Sequence, residues 1–195
     1  HLYRQWEDYR DEFGFVASVF SAGKIEGALH HYEELVKEDE QFLIIIDEAH
    51  RFRNEYTQDY ALLHNLCSGN KVLLLTATPF NNKPADIYSL IKLFQIPSRS
   101  TLKTVENLGA AFKDLIDKYR DLREAQRKGK SSEEEVKAEV KNISKNIRSI
   151  IIPLVVRRSR LDLQEIDEYA ADLKQQGIQL VIPNDPTELT YDLSE

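Results

Sequence analysis

Two adjacent carboxylates follow an apolar run in the first half of the chain. Residues 41–46 (QFLIII) lead directly into Asp47 and Glu48, which are followed by Ala49 and His50. Acids at the end of a buried segment cost free energy unless they have a partner or a reaction to perform. A pair of this kind is suited to holding a divalent cation and to accepting a proton from water. An acid pair alone fits a solvated acidic loop better, but the full tetrapeptide Asp47–His50 behind an apolar run leads us to predict a catalytic site here.

Small hydroxyl residues follow a second apolar run about 30 residues further along the chain. Residues 72–75 (VLLL) lead into Thr76, Ala77, Thr78 and Pro79. In isolation this pattern is typical of an ordinary turn from a strand to a helix. If the two apolar runs are neighbouring strands, the two hydroxyl groups come within reach of the acid pair.

The elements around these motifs predict an α/β fold. Continuous apolar runs are typical of parallel strands that are buried on both faces. An order of strand, helix, strand, helix implies a parallel sheet with right-handed crossovers, and ligands gather beyond the carboxyl ends of its strands. Both polar motifs lie at such ends. The predicted strands are 13–20, 41–46 and 72–75, and the predicted helices are 1–11, 25–36, 56–67 and a segment from Pro84 to Phe94.

The spacing of apolar residues changes after residue 100 and predicts an inserted antiparallel helical hairpin. Gly129 is expected to stop its first helix, and Ser131 or Ser132 to cap the second with Glu134 or Glu135. A further strand is predicted at 154–156 and a helix at 161–176. The expected division is an α/β core at 1–100, the hairpin at 101–152, and a return and exit segment at 153–195.

Composition is that of a soluble globular protein, with 42% hydrophobic and 30% charged residues. The net charge of −7 leaves room for a local basic groove but not for a generally basic surface. Cys67 is the single cysteine; it follows several leucines and is predicted to be a buried structural thiol. No apolar run suits a membrane helix, and we expect a cytoplasmic protein, associated with the nucleoid if its source is bacterial.

The tetrapeptide DEAH at 47–50 and the segment LTATP at 75–79 resemble motifs two and three of superfamily-two helicases. The surrounding sequence resembles the Swi/Snf family over roughly residues 13–165. In that family a Lys-Asn pair, a Gln-Asn pair, a helix and an Arg-Arg-x-Lys segment stand at these places. The matching segments here are Arg53–Asn54, Asn81–Asn82, 87–94 and Arg157–Arg160, with Arg for Lys at 53 and 160 and Asn for Gln at 81.

The resemblance implies a three-layer RecA-like lobe that belongs to a nucleic-acid-dependent ATPase. Asp47 would hold Mg²⁺, usually through water, and Glu48 would be the catalytic base for hydrolysis of ATP. His50, Thr76 and Thr78 would couple the state of the nucleotide to the grip on nucleic acid. The implied partner is double-stranded DNA, with RNA as the alternative.

A phosphate-binding P-loop, G-x-x-x-x-G-K-[ST], is missing from the 195 residues. Partial matches at 18–25 and 124–131 lack the first glycine, so we reject both. The chain is expected to be a fragment that begins after the P-loop and is inactive by itself. The P-loop segment and a second RecA-like lobe would be its partners within the same protein.

Candidate nucleic-acid contacts are of two kinds. The resemblance places Ser21, Gly23 and Lys24 near the backbone of nucleic acid, although a plain loop explains them equally well. Three cations, Arg157, Arg158 and Arg160, suit phosphate, but pairing with nearby acids suits them as well. No histidine shows zinc-ligand spacing with cysteine, so we assign no zinc.

Two other functions compete with a motor on DNA. The chain is alternatively a non-catalytic module for nucleic-acid binding or docking, because it has the acid pair without the phosphate cradle. It is alternatively the motor segment of a restriction-modification enzyme, which a nuclease motif elsewhere in the protein would indicate.

Overall fold

The computed structural model describes residues 2–38, 40–77, 83–156 and 162–178. The chain forms two compact units, His1–Pro153 and Leu154–Glu195, which we describe separately. The first unit holds two strands and six α-helices within its described part. These are α1 (Leu2–Phe13), α2 (Ile25–Leu35), β1 (Leu43–Ile46), α3 (Gln58–Cys67), β2 (Lys71–Leu74), α4 (Pro84–Lys92), α5 (Leu108–Arg127) and α6 (Glu133–Ile151).

The strands β1 and β2 pair in parallel, as the order of elements predicts. Leu43 lies opposite Lys71 and Ile46 lies opposite Leu74, and α3 makes the crossover between them. The sheet has two strands among the described residues, so the predicted parallel sheet is seen in part and the three-layer arrangement stays a prediction.

Helices cover one face of this sheet. Side chains alternate along a strand, and those of Ile44, Ile46, Val72 and Leu74 pack into the core with α2, α3 and α4. The other face is open, since Leu43 is 61% exposed and Leu73 is 45% exposed. The prediction that both runs are buried on both faces is therefore wrong for the part of the chain described.

The predicted strand at 13–20 is also wrong. Helix α1 continues through Phe13, and residues 15–20 form no regular structure. Val16 is fully exposed. A strand requires a neighbour that takes up its N–H and C=O groups, and no described segment pairs with this one. Apolar composition alone therefore gave the wrong element.

Helices α3 and α4 are joined by a polar contact inside the core. Thr57 caps α3 by accepting a hydrogen bond from the Tyr60 backbone N–H. The Tyr60 hydroxyl donates to the Ser89 carbonyl at 2.7 Å, and burial raises its pKa to about 12. The helix predicted at 56–67 begins two residues later, at Gln58, so Tyr56 precedes it and is 91% exposed.

The helical hairpin forms as predicted from α5 and α6. Gly129 has a φ of 67°, which suits glycine at the end of a helix. Ser132 and Glu135 form a complete capping box at the start of α6. The hairpin attaches to the core through Phe112, which is fully buried and stacks on Tyr88 of α4 with 4.9 Å between ring centroids.

The second unit contains α7 (Asp162–Glu165) and α8 (Asp167–Gln175) in its described part. These helices confirm the predicted helical segment, with a break at Ile166. The predicted strand at 154–156 is wrong, because a 3-10 turn runs through Leu154 and the next two residues are exposed without strand pairing. None of the helices in the described ranges combines the length and apolar character required to cross a membrane.

Cys67 is predicted to resist thiol reagents in the folded chain. It is buried at the end of α3, and burial raises its thiol pKa to about 12. Against an ordinary thiol pKa of about 8.5, the thiolate fraction at pH 8 falls on the order of 10³-fold. Labelling with Ellman's reagent at pH 8 should therefore be slow until urea unfolds the chain. Rapid labelling of the folded chain would contradict this burial.

Candidate active site

The carboxyl ends of β1 and β2 bring the two polar motifs side by side. The Leu75 N–H donates to the Ile46 carbonyl at 2.8 Å, and the Ala49 N–H donates to the Leu75 carbonyl at 3.0 Å. These bonds continue the pairing beyond the strands. As a result, Thr76 lies beside the motif that contains Asp47, Glu48 and His50, although about 30 residues separate the two motifs in sequence.

Asp47 is half-buried, and each of its carboxylate oxygens accepts one hydrogen bond. The Glu48 backbone N–H donates to Oδ1 at 2.8 Å. The Trp6 indole N–H, from α1, donates to Oδ2 at 2.9 Å. A carboxylate offers about four lone-pair sites, so this side chain keeps acceptor capacity for water or a metal ion.

Glu48 has a left-handed backbone, with φ 49° and ψ 43°. It is the one non-glycine residue with positive φ in the described ranges of the chain. This conformation costs an L-residue roughly 1–2 kcal/mol, and such strain concentrates at functional positions. The Glu48 carboxylate turns toward His50, with Oε2 3.0 Å from Nδ1.

His50 connects the acid pair to β2. Its Nδ1 faces Glu48 Oε2 and also lies 3.5 Å from Thr76 Oγ1, at the outer limit of a hydrogen bond. The short 3-10 turn that carries His50 is anchored by Ala49, which is fully buried, and by Phe52, which packs in the core. The three polar side chains Glu48, His50 and Thr76 therefore form one continuous chain of contacts.

The donor set suits magnesium that is shared with a nucleotide. The described residues contain no group of three or more His, Cys, Asp or Glu side chains able to hold a metal by themselves. Asp47 and Glu48 supply two adjacent carboxylates at the sheet edge. Mg²⁺ is usually bound by one or two carboxylates together with waters and substrate phosphates. The residues present therefore fit Mg²⁺, and Asp47 would be the residue to hold it.

The predicted nucleic-acid residues divide into two groups. Ser21, Gly23 and Lys24 are exposed in and beside a 3-10 turn at Ala22–Lys24 that opens α2. They follow an irregular segment instead of the strand that was expected. The second group, Arg157, Arg158 and Arg160, lies outside the described residues. Thr78, one of the predicted coupling residues, lies outside them as well.

Sequence reasoning missed Trp6 and the backbone strain at Glu48. Trp6 lies 41 residues before its partner Asp47 and belongs to no motif that we recognised. The signal in the sequence was weak: Trp6 is the single tryptophan of the chain, and an indole N–H requires an acceptor when its ring is partly buried. The left-handed conformation of Glu48 had no signal, since neither glycine nor asparagine stands there.

Replacing Glu48 by glycine is predicted to give a more stable chain than replacing it by alanine. Glycine adopts the left-handed backbone without strain, but it also raises the conformational entropy of the unfolded chain. We therefore expect the free energy of unfolding to be about 0.5–1 kcal/mol higher for Glu48→Gly than for Glu48→Ala. Urea unfolding followed by circular dichroism measures it.

The matched control is Glu139, an exposed residue inside α6. There the order reverses, because glycine in a helix is about 1 kcal/mol less favourable than alanine. If Glu48→Ala is at least as stable as Glu48→Gly, the left-handed backbone stores no strain.

The family described as SNF2-related domain matches residues 18–181 of the chain. Among curated proteins, the "Uncharacterized ATP-dependent helicase YqhH" of Bacillus subtilis is 33% identical over 101 residues, covering 45% of this chain and 17% of its own length. The "ATP-dependent DNA helicase DDM1" of Arabidopsis thaliana is 30% identical over 121 residues, covering 62% of this chain and 14% of its own length.

The "Chromodomain-helicase-DNA-binding protein 1-like" of Danio rerio is 34% identical over 73 residues, covering 37% of this chain and 7% of its own length. The chain thus spans between 7% and 17% of the length of these three relatives. No solved structure matches the chain. Because the family match covers most of the 195 residues, the chain belongs to the SNF2-related, or Swi/Snf, family of superfamily-two helicases.

Proposed function

We propose that this chain is part of the ATP-hydrolysing motor of a Swi/Snf-like translocase that moves on double-stranded DNA. The observation that carries the proposal is the arrangement at the sheet edge, where Asp47 adjoins Glu48 and His50 lies between Glu48 and Thr76. Membership of the family supports ATP as the substrate. Relatives named as ATP-dependent helicases, one of them a DNA helicase, support DNA as the polymer along which the motor moves.

Asp47 is the proposed magnesium-holding residue. Hydrogen bonds on both of its oxygens fix the plane of the carboxylate and use only part of its acceptor capacity, so lone pairs remain for a metal ion or its waters. When bound together with ATP, Mg²⁺ neutralises charge that develops on the phosphates. The contribution of the chain is to present one oriented acid from a rigid strand end.

Glu48 is the proposed general base. Its side chain is 41% exposed, so a water molecule can reach it, while the contact with His50 Nδ1 fixes its direction. A positioned carboxylate would take a proton from the water as the water oxygen bonds to the terminal phosphorus of ATP and the bond to the leaving ADP breaks. General-base assistance of this kind contributes about 10²–10⁴ in rate. Glu48 makes this contact with His50 from a left-handed backbone, while its own backbone N–H donates to Asp47 Oδ1.

His50 and Thr76 are the proposed coupling residues. His50 Nδ1 faces Glu48 Oε2 and Thr76 Oγ1, so a change of partner at Glu48 alters the contact with the end of β2. The segment after Thr76 would carry that change onward, and the resemblance adds Thr78 to the same role. In this way the state of the nucleotide would reach the surface that grips DNA.

Ser21, Gly23 and Lys24 are proposed contacts to the DNA backbone, as are Arg157, Arg158 and Arg160. The turn at Ala22–Lys24 is exposed, and a Cβ added at Gly23 would meet no atom within 4 Å. Packing therefore does not require glycine there, while a close approach of phosphate to the backbone would use its open surface. Lys24 adds a cation beside it.

Catalysis is proposed to require segments beyond these 195 residues. The sequence has no P-loop, so backbone N–H groups that cradle phosphates must come from elsewhere in the protein, and a second lobe must close over the nucleotide. The chain by itself is then inactive. A cytoplasmic location remains a prediction.

Glu48→Gln is predicted to remove most of the ATP hydrolysis by the whole protein that contains this sequence. The amide cannot accept the proton from water, so kcat should fall about 10²–10⁴-fold. Hydrolysis by the unchanged protein should rise when double-stranded DNA is added. Phosphate release, measured with and without DNA, gives both results.

Glu40→Gln is the matched control, because Glu40 is an exposed carboxylate on the segment that precedes β1. It should leave hydrolysis unchanged. If Glu48→Gln lowers kcat by less than about 10-fold, Glu48 is not the general base. If double-stranded DNA does not raise hydrolysis by the unchanged protein, DNA is not the polymer on which the motor moves.

A further inference from the structure

We infer that Trp6 is a positioning residue for the magnesium-holding carboxylate of Asp47. The inference rests on the proposed function and adds a residue outside the two motifs to its site. The indole N–H of Trp6 fixes Asp47 in the orientation that presents its remaining lone pairs to Mg²⁺ and its water shell.

The geometry of the bond supports this role. Trp6 Nε1 lies 2.9 Å from Asp47 Oδ2, and the Glu48 backbone nitrogen lies 2.8 Å from Oδ1. One donor on each oxygen prevents the carboxylate from rotating freely. An indole N–H only donates, so it orients the acid without replacing a metal ligand and without taking a proton.

The aromatic face of α1 holds the indole in place. The Trp6 ring contacts Tyr9 edge to face, with 6.1 Å between centroids, and Tyr9 in turn contacts Phe13 at 6.3 Å. Gln5 Nε2 donates to the Tyr9 hydroxyl at 2.9 Å, which adds a polar tie along the helix. These contacts limit the rotamers of Trp6 and so direct its N–H.

Core packing does not account for the bond. No residue of α1 is buried, and Trp6 itself is only partly buried. The helix is therefore not anchored by a large apolar side chain that would bring the indole to Asp47 incidentally. The hydrogen bond to the acid is a specific contact between α1 and the sheet edge.

Positioning of this kind acts on metal affinity. Removing a partner that orients a metal-binding carboxylate typically lowers the metal affinity or the activity 10- to 100-fold. Loss of the Trp6 N–H should weaken the use of Mg²⁺ while leaving the base Glu48 in place. The effect should therefore be recovered at high Mg²⁺ concentration.

The first test uses the 195-residue chain and needs no activity. Trp6 is its single tryptophan, so one indole N–H resonance appears in a ¹H–¹⁵N spectrum. Asp47→Ala should move that resonance upfield, because the carboxylate acceptor is lost. Asp59→Ala, at an exposed position in the first turn of α3, should leave it in place. If Asp47→Ala leaves the position of the indole resonance unchanged, the inference is wrong, whether or not variants of Trp6 itself fold.

The second test measures the Mg²⁺ dependence of ATP hydrolysis by the whole protein. Trp6→Phe keeps an aromatic ring and removes the N–H, and it should raise the half-saturating Mg²⁺ concentration about 10-fold. The kcat at saturating Mg²⁺ should return to nearly that of the unchanged protein. Tyr3→Phe removes a hydroxyl group from an exposed position of the same helix and should change neither value. An unchanged Mg²⁺ requirement, or a loss of kcat that Mg²⁺ does not recover, contradicts the role.

Different results test the proposed function and the positioning role of Trp6. If Glu48→Gln stays active, the proposed function fails, while the indole resonance still decides whether Trp6 bonds to Asp47. If Glu48→Gln is inactive and Trp6→Phe behaves like the unchanged protein, only the positioning role of Trp6 fails.

Discussion

Two backbone hydrogen bonds beyond the ends of β1 and β2 are the constraint on which the candidate site depends. One joins Leu75 to Ile46 and the other joins Ala49 to Leu75. Parallel strands have no short connection, so α3 and its loops must bring the second strand back beside the first. The buried residues of α3 stabilise that return through the core, at Leu63 and Cys67 among others. Without this pairing, the acids and hydroxyls of the two motifs would lie on separate surfaces.

The site places polar and strained groups where the sheet ends, and the surrounding structure offsets their cost. Ala49 and Phe52 anchor the turn that follows the acids. That anchoring allows Glu48 to keep a left-handed backbone, which would otherwise relax into a commoner conformation. Asp47 is instead held by donors on both oxygens. The two neighbouring acids thus have different surroundings, which suits one acid that binds and another that reacts.

Local patterns in the sequence predicted the parts of the fold that local interactions determine. The capping box at Ser132 and the glycine at 129 agree with the structure. The parallel pairing of 41–46 with 72–75 also agrees, but the order of the elements predicted it rather than a local pattern. Segment 13–20 was predicted wrongly because apolar residues indicate burial or contact but do not specify a pairing partner. The Trp6–Asp47 bond and the backbone of Glu48 escaped prediction because distant contacts determine them, and no residue type at either position announces them.

A crystal structure of the whole protein with Mg²⁺ and a non-hydrolysable ATP analogue will show whether the ends of β1 and β2 form the nucleotide site. We expect the terminal phosphate and the metal to lie beyond the carboxyl ends of β1 and β2, with Asp47 facing the metal or its waters and Glu48 facing the terminal phosphate. We also expect His50 to lie between Glu48 and Thr76. If the nucleotide binds at another surface and Asp47 and Glu48 face bulk solvent, the sheet edge is not the active site.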